Sequence, residues 1–189
     1  EASIVSRHLG LKTAGEIAGL QQKIALLADA LVLDWVQFQA LADRPAPLAQ
    51  PAARAPARTR IAVAQDEAFC FAYAETLEAL TAAGAEIVPF SPLHDAALPP
   101  ELGGLYLPGG YPELYAEPLS ENRSMRASVR QAVEHGLPTV AECGGFLYLG
   151  QTLEDADGTV WPMAGVLPGS GFPVGRLVRF GYAELTARA

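Results

Sequence analysis

Apolar residues recur every three or four positions from Ile17 through Leu20, Ile24, Leu27, Leu31, Trp35, Phe38 and Leu41. This spacing predicts a helix over 15–42 with one apolar stripe. The stripe calls for ordinary core packing, against the following domain or one outside this sequence. The pattern then stops: residues 43–58 place Pro45, Pro47, Pro51 and Pro56 among Ala and Arg. Proline at that density forbids a regular helix and predicts an interdomain linker, partly extended as polyproline II.

Beyond the linker the period changes. Short apolar runs at 60–65, 86–90, 105–107 and 138–142 read as strands. Between them, 70–83 and 121–135 read as helices stopped by Gly84 and Gly136, and a short helix runs to Leu149. Strands alternating with helices predict an α/β domain, a mostly parallel sheet with helices on both faces. The β-branched and aromatic stretch over 160–185 reads as antiparallel additions at a sheet edge. The predicted organisation is a helical remnant of another domain over 1–42, the linker over 43–58, and the α/β domain over 59–189. The chain opens on Glu1 and stops in a strand-like run at Ala189, so it reads as a fragment of a longer polypeptide, its α/β domain incomplete at the C-terminal end.

Charge narrows the function classes. The net charge is -8 and no Lys/Arg cluster stands out, which argues against nucleic acid as a partner. Cys70 and Cys143 are too few for a disulfide scaffold and form no CxxC pair for zinc, so no metal site is expected. No apolar run is long enough to span a bilayer, and no signal-peptide core opens the chain. A cytoplasmic protein with no membrane partner is the expectation.

Chemistry concentrates at two glycine turns. Thr139-Val140-Ala141-Glu142-Cys143-Gly144-Gly145 is a strand running into a tight turn, with the helix of Phe146-Leu147-Tyr148-Leu149 after it. This is the layout of a nucleophile elbow: the nucleophile stands clear of the sheet, and its neighbours lack side chains so the backbone can bend and a substrate can approach. The following helix directs N–H groups at the sulfur, an arrangement that favours thiolate. The Gly144 N–H is placed to donate to an oxyanion. Pro108-Gly109-Gly110-Tyr111-Pro112-Glu113 ends the preceding strand, at the sheet edge where α/β sites form, and offers Gly110 as the second donor. Gly145 belongs to the same substrate-binding turn. Tyr111 and Glu113 fit either a substrate pocket or plain turn architecture. Cys70 reads as buried packing. Glu142 reads as a supporting carboxylate, with its side chain on the opposite side of the strand from Cys143.

Four ordered segments carry a resemblance: Asp66-Glu67-Ala68-Phe69-Cys70-Phe71, Pro89-Phe90-Ser91-Pro92-Leu93, Gly109-Gly110-Tyr111-Pro112-Glu113 and Ala141-Glu142-Cys143-Gly144-Gly145. Together they resemble the amidotransferase domain of the cobyrinic acid a,c-diamide synthase family, whose aerobic-pathway members act on hydrogenobyrinic acid. Arg7-His8-Leu9-Gly10-Leu11 is similar to the motif closing that family's ATP-binding domain. The resemblance implies a flavodoxin-like, class I glutamine amidotransferase fold. It implies that Cys143 attacks the side-chain amide of glutamine, with ammonia passed to a corrin-precursor carboxylate. That carboxylate would be activated by MgATP in the ATP-binding domain of the full-length enzyme, for which a homodimer is one assembly. This chain has no G-x-x-x-x-G-K-[ST] loop and should carry no cofactor of its own.

The base is where the sequence departs from the pattern. His8, His94 and His135 read as structural or solvated, and His135 sits where it complements a helix C-terminus. The resemblance places the catalytic His after the Phe180-Gly181-Tyr182 strand, beyond residue 189, so the chain alone should turn over weakly or not at all. Two other readings stay open: the amidotransferase domain of a related tetrapyrrole-amidating enzyme, and a non-catalytic flavodoxin-like docking module. A Cys hydrolase of the related chaperone or protease type needs a His soon after the elbow, and residues 146–166 contain none.

Overall fold

The computed structural model describes residues 3–4, 12–42 and 58–174. The chain divides into two compact units, Glu1–Pro51 and Ala52–Ala189. The expected 43–58 linker, but for Arg58, and the motif at 7–11 lie outside the described residues.

In the first unit the continuous helix expected over 15–42 is broken. A single 3-10 turn (Ala14–Glu16) precedes helix α1 (Leu20–Ala30) and helix α2 (Trp35–Ala42), and the two α-helices meet at a bend of 110°. Asp34 explains the break: its Oδ1 accepts from the Val36 and Gln37 N–H groups, both at 3.1 Å. This N-terminal cap starts a new helix at the point where the apolar period alone would have continued the old one. Along the stripe, Ile24, Leu27, Leu31, Trp35, Phe38 and Leu41 are exposed in this structure. Among the described residues no single helix is long and apolar enough to cross a membrane.

The second unit holds the parallel sheet. Its strands are β1 (Thr59–Ala64), β2 (Ala85–Phe90), β3 (Gly104–Leu107) and β4 (Thr139–Ala141), in the order β2-β1-β3-β4. All three pairings are parallel, with Ile61 opposite Gly104 and Leu107 opposite Ala141. The central strand β3 is buried along its whole length, as expected of a strand covered on both faces. Its Leu105 and Leu107 join Ala62, Ala64, Phe90 and Tyr148 in the core.

Helix α3 (Ala74–Ala82) starts later than the apolar period predicts. Cys70 and Phe71 are drawn out of it because the Phe71 N–H donates to Gly109 O at 3.1 Å in an isolated antiparallel bridge. After β3 come a 3-10 turn (Pro112–Tyr115), helix α4 (Ala116–Glu121) and helix α5 (Arg123–Glu134). Sequence periodicity gives only the last of these, since α4 is short and carries Pro118 in its first turn, where proline is tolerated.

Asn122 ties this segment to the loop after β2. Its Oδ1 accepts from Met125 N–H at 3.3 Å and its amide donates to Pro92 O and Asp95 O, both at 2.8 Å. Asn122→Ala therefore removes a helix cap and two loop anchors, and a loss of about 1–3 kcal/mol is expected. Urea unfolding checks this through a lower midpoint at unchanged slope.

Helix α6 (Gly144–Leu149) follows β4 directly. The expected antiparallel additions to the main sheet take a different form. Strands β5 (Thr152–Glu154), β6 (Val160–Pro162) and β7 (Ser170–Gly171) make a separate three-stranded sheet, with β5–β6 antiparallel but β5–β7 parallel. Backbone bonds from Ala164 to Tyr148 and from Val166 to Leu149 hold this region on α6 instead of on the edge of β4. The part of that expectation beyond 174 lies outside the described residues.

Candidate active site at two glycine turns

The sheet's two adjacent strands β3 and β4 each end in a glycine turn. Cys143 occupies the turn after β4 with φ 47° and ψ -111°, and its side chain is exposed. Among the described residues only Glu101 and Cys143 are non-glycine residues with positive φ. Such a conformation costs on the order of 1–3 kcal/mol and persists only where the surroundings over-determine it.

The surroundings do so. Glu142 N–H donates to Leu107 O at 3.0 Å, extending the ladder one residue past β4. Gly145 N–H lies 2.8 Å from Glu142 O and 3.1 Å from Pro108 O, closing the turn. Leu147 N–H donates to Cys143 O at 3.1 Å and begins the helix. No side chain fits behind: a Cβ at Gly145 would stand 2.1 Å from Leu107 O, and one at Gly144 2.7 Å from Pro112 Cδ.

The turn after β3 is held from the loop after β1. Tyr111 N–H donates to Ala68 O at 3.0 Å, and a Cβ at Gly110 would meet that carbonyl at 1.9 Å. The Tyr111 ring is buried and packs edge-on against Phe71, with centroids 5.3 Å apart. Asp66 anchors the same loop: its carboxylate accepts from Ala68 N–H, Phe69 N–H, Ser91 Oγ and Leu93 N–H.

The two turns touch. A Cβ at Gly144 would lie 3.1 Å from Gly110 N, and one at Gly109 would lie 3.5 Å from Cys143 Cβ. Among the described residues, the backbone hydrogen bonds leave the Gly110 and Gly144 N–H groups uncommitted. The structure thus brings Cys143, Gly110 and Gly144 together. It spends the Gly145 N–H on turn closure and the Tyr111 ring on packing.

With this geometry in view, comparison with known proteins is informative. Residues 60–184 match the CobB/CobQ-like glutamine amidotransferase domain. The chain belongs to that family. The cobyrinate a,c-diamide synthase of Synechocystis sp. is 40% identical over 192 residues, covering 97% of this chain and 39% of the relative. The enzyme of the same name from Dehalococcoides mccartyi strain 195 is 42% identical over 193 residues, 97% of this chain and 42% of the relative. The hydrogenobyrinate a,c-diamide synthase of Pseudomonas aeruginosa is 44% identical over 175 residues, 89% of this chain and 39% of the relative. The chain therefore spans about two fifths of the length of the relatives it matches.

The two described histidines of this amidotransferase domain have local partners. His94 Nε2 pairs with Glu67 Oε2 at 3.0 Å on the surface. His135 Nδ1 bonds Gln131 O at 2.7 Å at the end of α5. His8 lies outside the described residues. Cys70, expected in the core, is only half-buried, because its loop is pulled toward Gly109 instead of entering α3. Among the described residues no cluster of three or more His, Cys, Asp or Glu is arranged to hold a metal ion.

One pair was not foreseen. The Tyr106 hydroxyl, from β3, donates to Glu142 Oε2 at 2.7 Å. Burial first, and this acceptor second, push the Tyr106 hydroxyl up to about 12, so it remains a proton donor at neutral pH. Strand alternation gives the side of the sheet on which Glu142 lies; it gives no signal for the partner two registers away.

Proposed function

We propose that the domain hydrolyses glutamine through a Cys143 thioester and supplies ammonia to an a,c-diamide synthase reaction on cobyrinate or hydrogenobyrinate. The observation that carries this reading is an exposed cysteine held at φ 47° on a strand-to-helix turn, beside the Gly110 and Gly144 N–H groups that the backbone hydrogen bonds leave uncommitted. The acceptor is drawn from the relatives' names, which include both the cobyrinate and the hydrogenobyrinate enzymes.

In this mechanism the Cys143 thiolate attacks the side-chain carbonyl carbon of glutamine. The Gly110 and Gly144 N–H groups take the negative charge that builds on the oxygen, each contributing about 3 kcal/mol. The tetrahedral adduct collapses as the nitrogen gains a proton and leaves as ammonia. Water then cleaves the γ-glutamyl thioester to glutamate and regenerates the thiol. The base that moves these protons is assigned, on the resemblance, to a His beyond residue 189. MgATP does not fit the residues present: this chain has neither a phosphate-binding lysine loop nor, among its described residues, an acidic metal cluster. No step here passes through it.

The test uses the full-length protein. Glutamine is added with MgATP and the corrin acid, glutamate release is measured, and the reaction is quenched in acid for peptide mass spectrometry. A γ-glutamyl adduct on the Cys143 peptide is expected. Glutamate release with the adduct on a different residue would overturn the assignment.

A further inference from the structure

Glu142 is held at three points. Its N–H donates to Leu107 O, its carbonyl accepts from Gly145 N–H, and its carboxylate accepts from the Tyr106 hydroxyl at 2.7 Å. The next residue is Cys143, at φ 47°. The two backbone bonds fix the strand end and the turn. The third reaches across to Tyr106, which is 6% exposed in the interior strand β3.

The same bond fixes where the carboxylate goes. Tyr106, Val140 and Glu142 share one face of the sheet, since Tyr106 is opposite Val140 in register. With Tyr73, they line a groove of about 480 Å³ on that face. Cys143 approaches Gly109 instead, where a built Cβ would lie 3.5 Å from Cys143 Cβ. A carboxylate one residue from the sulfur would, if released, disfavour thiolate by like-charge repulsion. Tyr73 is the other titratable group beside Tyr106.

We propose that the Tyr106–Glu142 hydrogen bond is a positioning device for Cys143. It locks the elbow that presents the sulfur to the Gly110 and Gly144 N–H groups, and it keeps the carboxylate on the far side of the strand. The inference rests on the reading of Cys143 as the nucleophile.

The test combines steady-state glutamine hydrolysis with iodoacetamide alkylation of Cys143 at neutral pH, read by peptide mass spectrometry so that Cys70 does not interfere. Both use the full-length protein. Glu142→Gln keeps an acceptor oxygen for the hydroxyl, Glu142→Ala has none, and Tyr106→Phe removes the donor. Glu142→Ala and Tyr106→Phe are expected to lower kcat about tenfold, with KM for glutamine within about twofold. Glu142→Gln is expected to stay within about threefold of the unaltered protein. Tyr106→Phe, which frees a charged carboxylate, slows alkylation about threefold, and adding Glu142→Gln restores it.

An unchanged kcat in folded Glu142→Ala and Tyr106→Phe overturns the proposal, as does Glu142→Gln being as damaged as Glu142→Ala. If Tyr106→Phe does not fold, the Glu142→Ala and Glu142→Gln pair decides alone. If the unaltered protein hydrolyses no glutamine, the glutaminase reading falls by itself. Alkylation then still decides the positioning: slowing in Tyr106→Phe that Glu142→Gln relieves supports it, and an unchanged rate overturns it.

Discussion

Cys143→Ser in the full-length protein is expected to lower glutamine hydrolysis at least about 10³-fold, because a serine hydroxyl at this turn is neither ionised nor as nucleophilic as a thiolate. The same variant should still amidate the acceptor when an ammonium salt replaces glutamine, since only the ammonia source has been removed. The pair of assays separates a lost nucleophile from a lost fold. Glutaminase activity that survives the substitution would remove Cys143 from the chemistry. Loss with ammonium as well would show that the substitution damaged more than the glutamine site.

Gly145→Ala is expected to be strongly destabilising. Its Cβ would stand 2.1 Å from Leu107 O and 2.6 Å from Leu107 C. Those are backbone atoms of the buried central strand, so neither can rotate away. Relief requires β3 and α6 to separate by about an ångström, breaking the Gly145 bonds to Pro108 O and Glu142 O. A cost of about 3 kcal/mol or more follows. Thermal unfolding of the full-length protein checks it, and a melting temperature equal to that of the unaltered protein would contradict the close approach. Gly136→Ala is the contrast: its Cβ would meet nothing within 4 Å, so only its positive φ of 89° penalises the change.

The parallel sheet was legible in the sequence because its strands are short apolar runs alternating with helical stretches, and that signal is local. The elbow was legible for the same reason: Glu142-Cys143-Gly144-Gly145 directly follows a strand. What failed were the places where a local polar contact competes with the apolar period. Asp34 caps a new helix inside a continuous stripe. Phe71 leaves the start of α3 for a bridge to Gly109. The stretch over 160–185 was read as additions to the main sheet, and β5 was not read at all, because β-branched residues announce a strand but not its neighbour. Gly110 and Gly144 were paired in advance by reasoning about strand ends, whereas the commitment of the Gly145 N–H to Glu142 O and Pro108 O depends on distances that no residue type encodes.

The register of Leu107 against Ala141 sets more than the pairing of two strands. Both glycine turns leave the sheet at the same height from neighbouring rungs, so the two turns face each other across one strand repeat, about 4.8 Å. The site is in that sense a graduation on a ruler: its alignment is lost in one step if either strand slips by a rung.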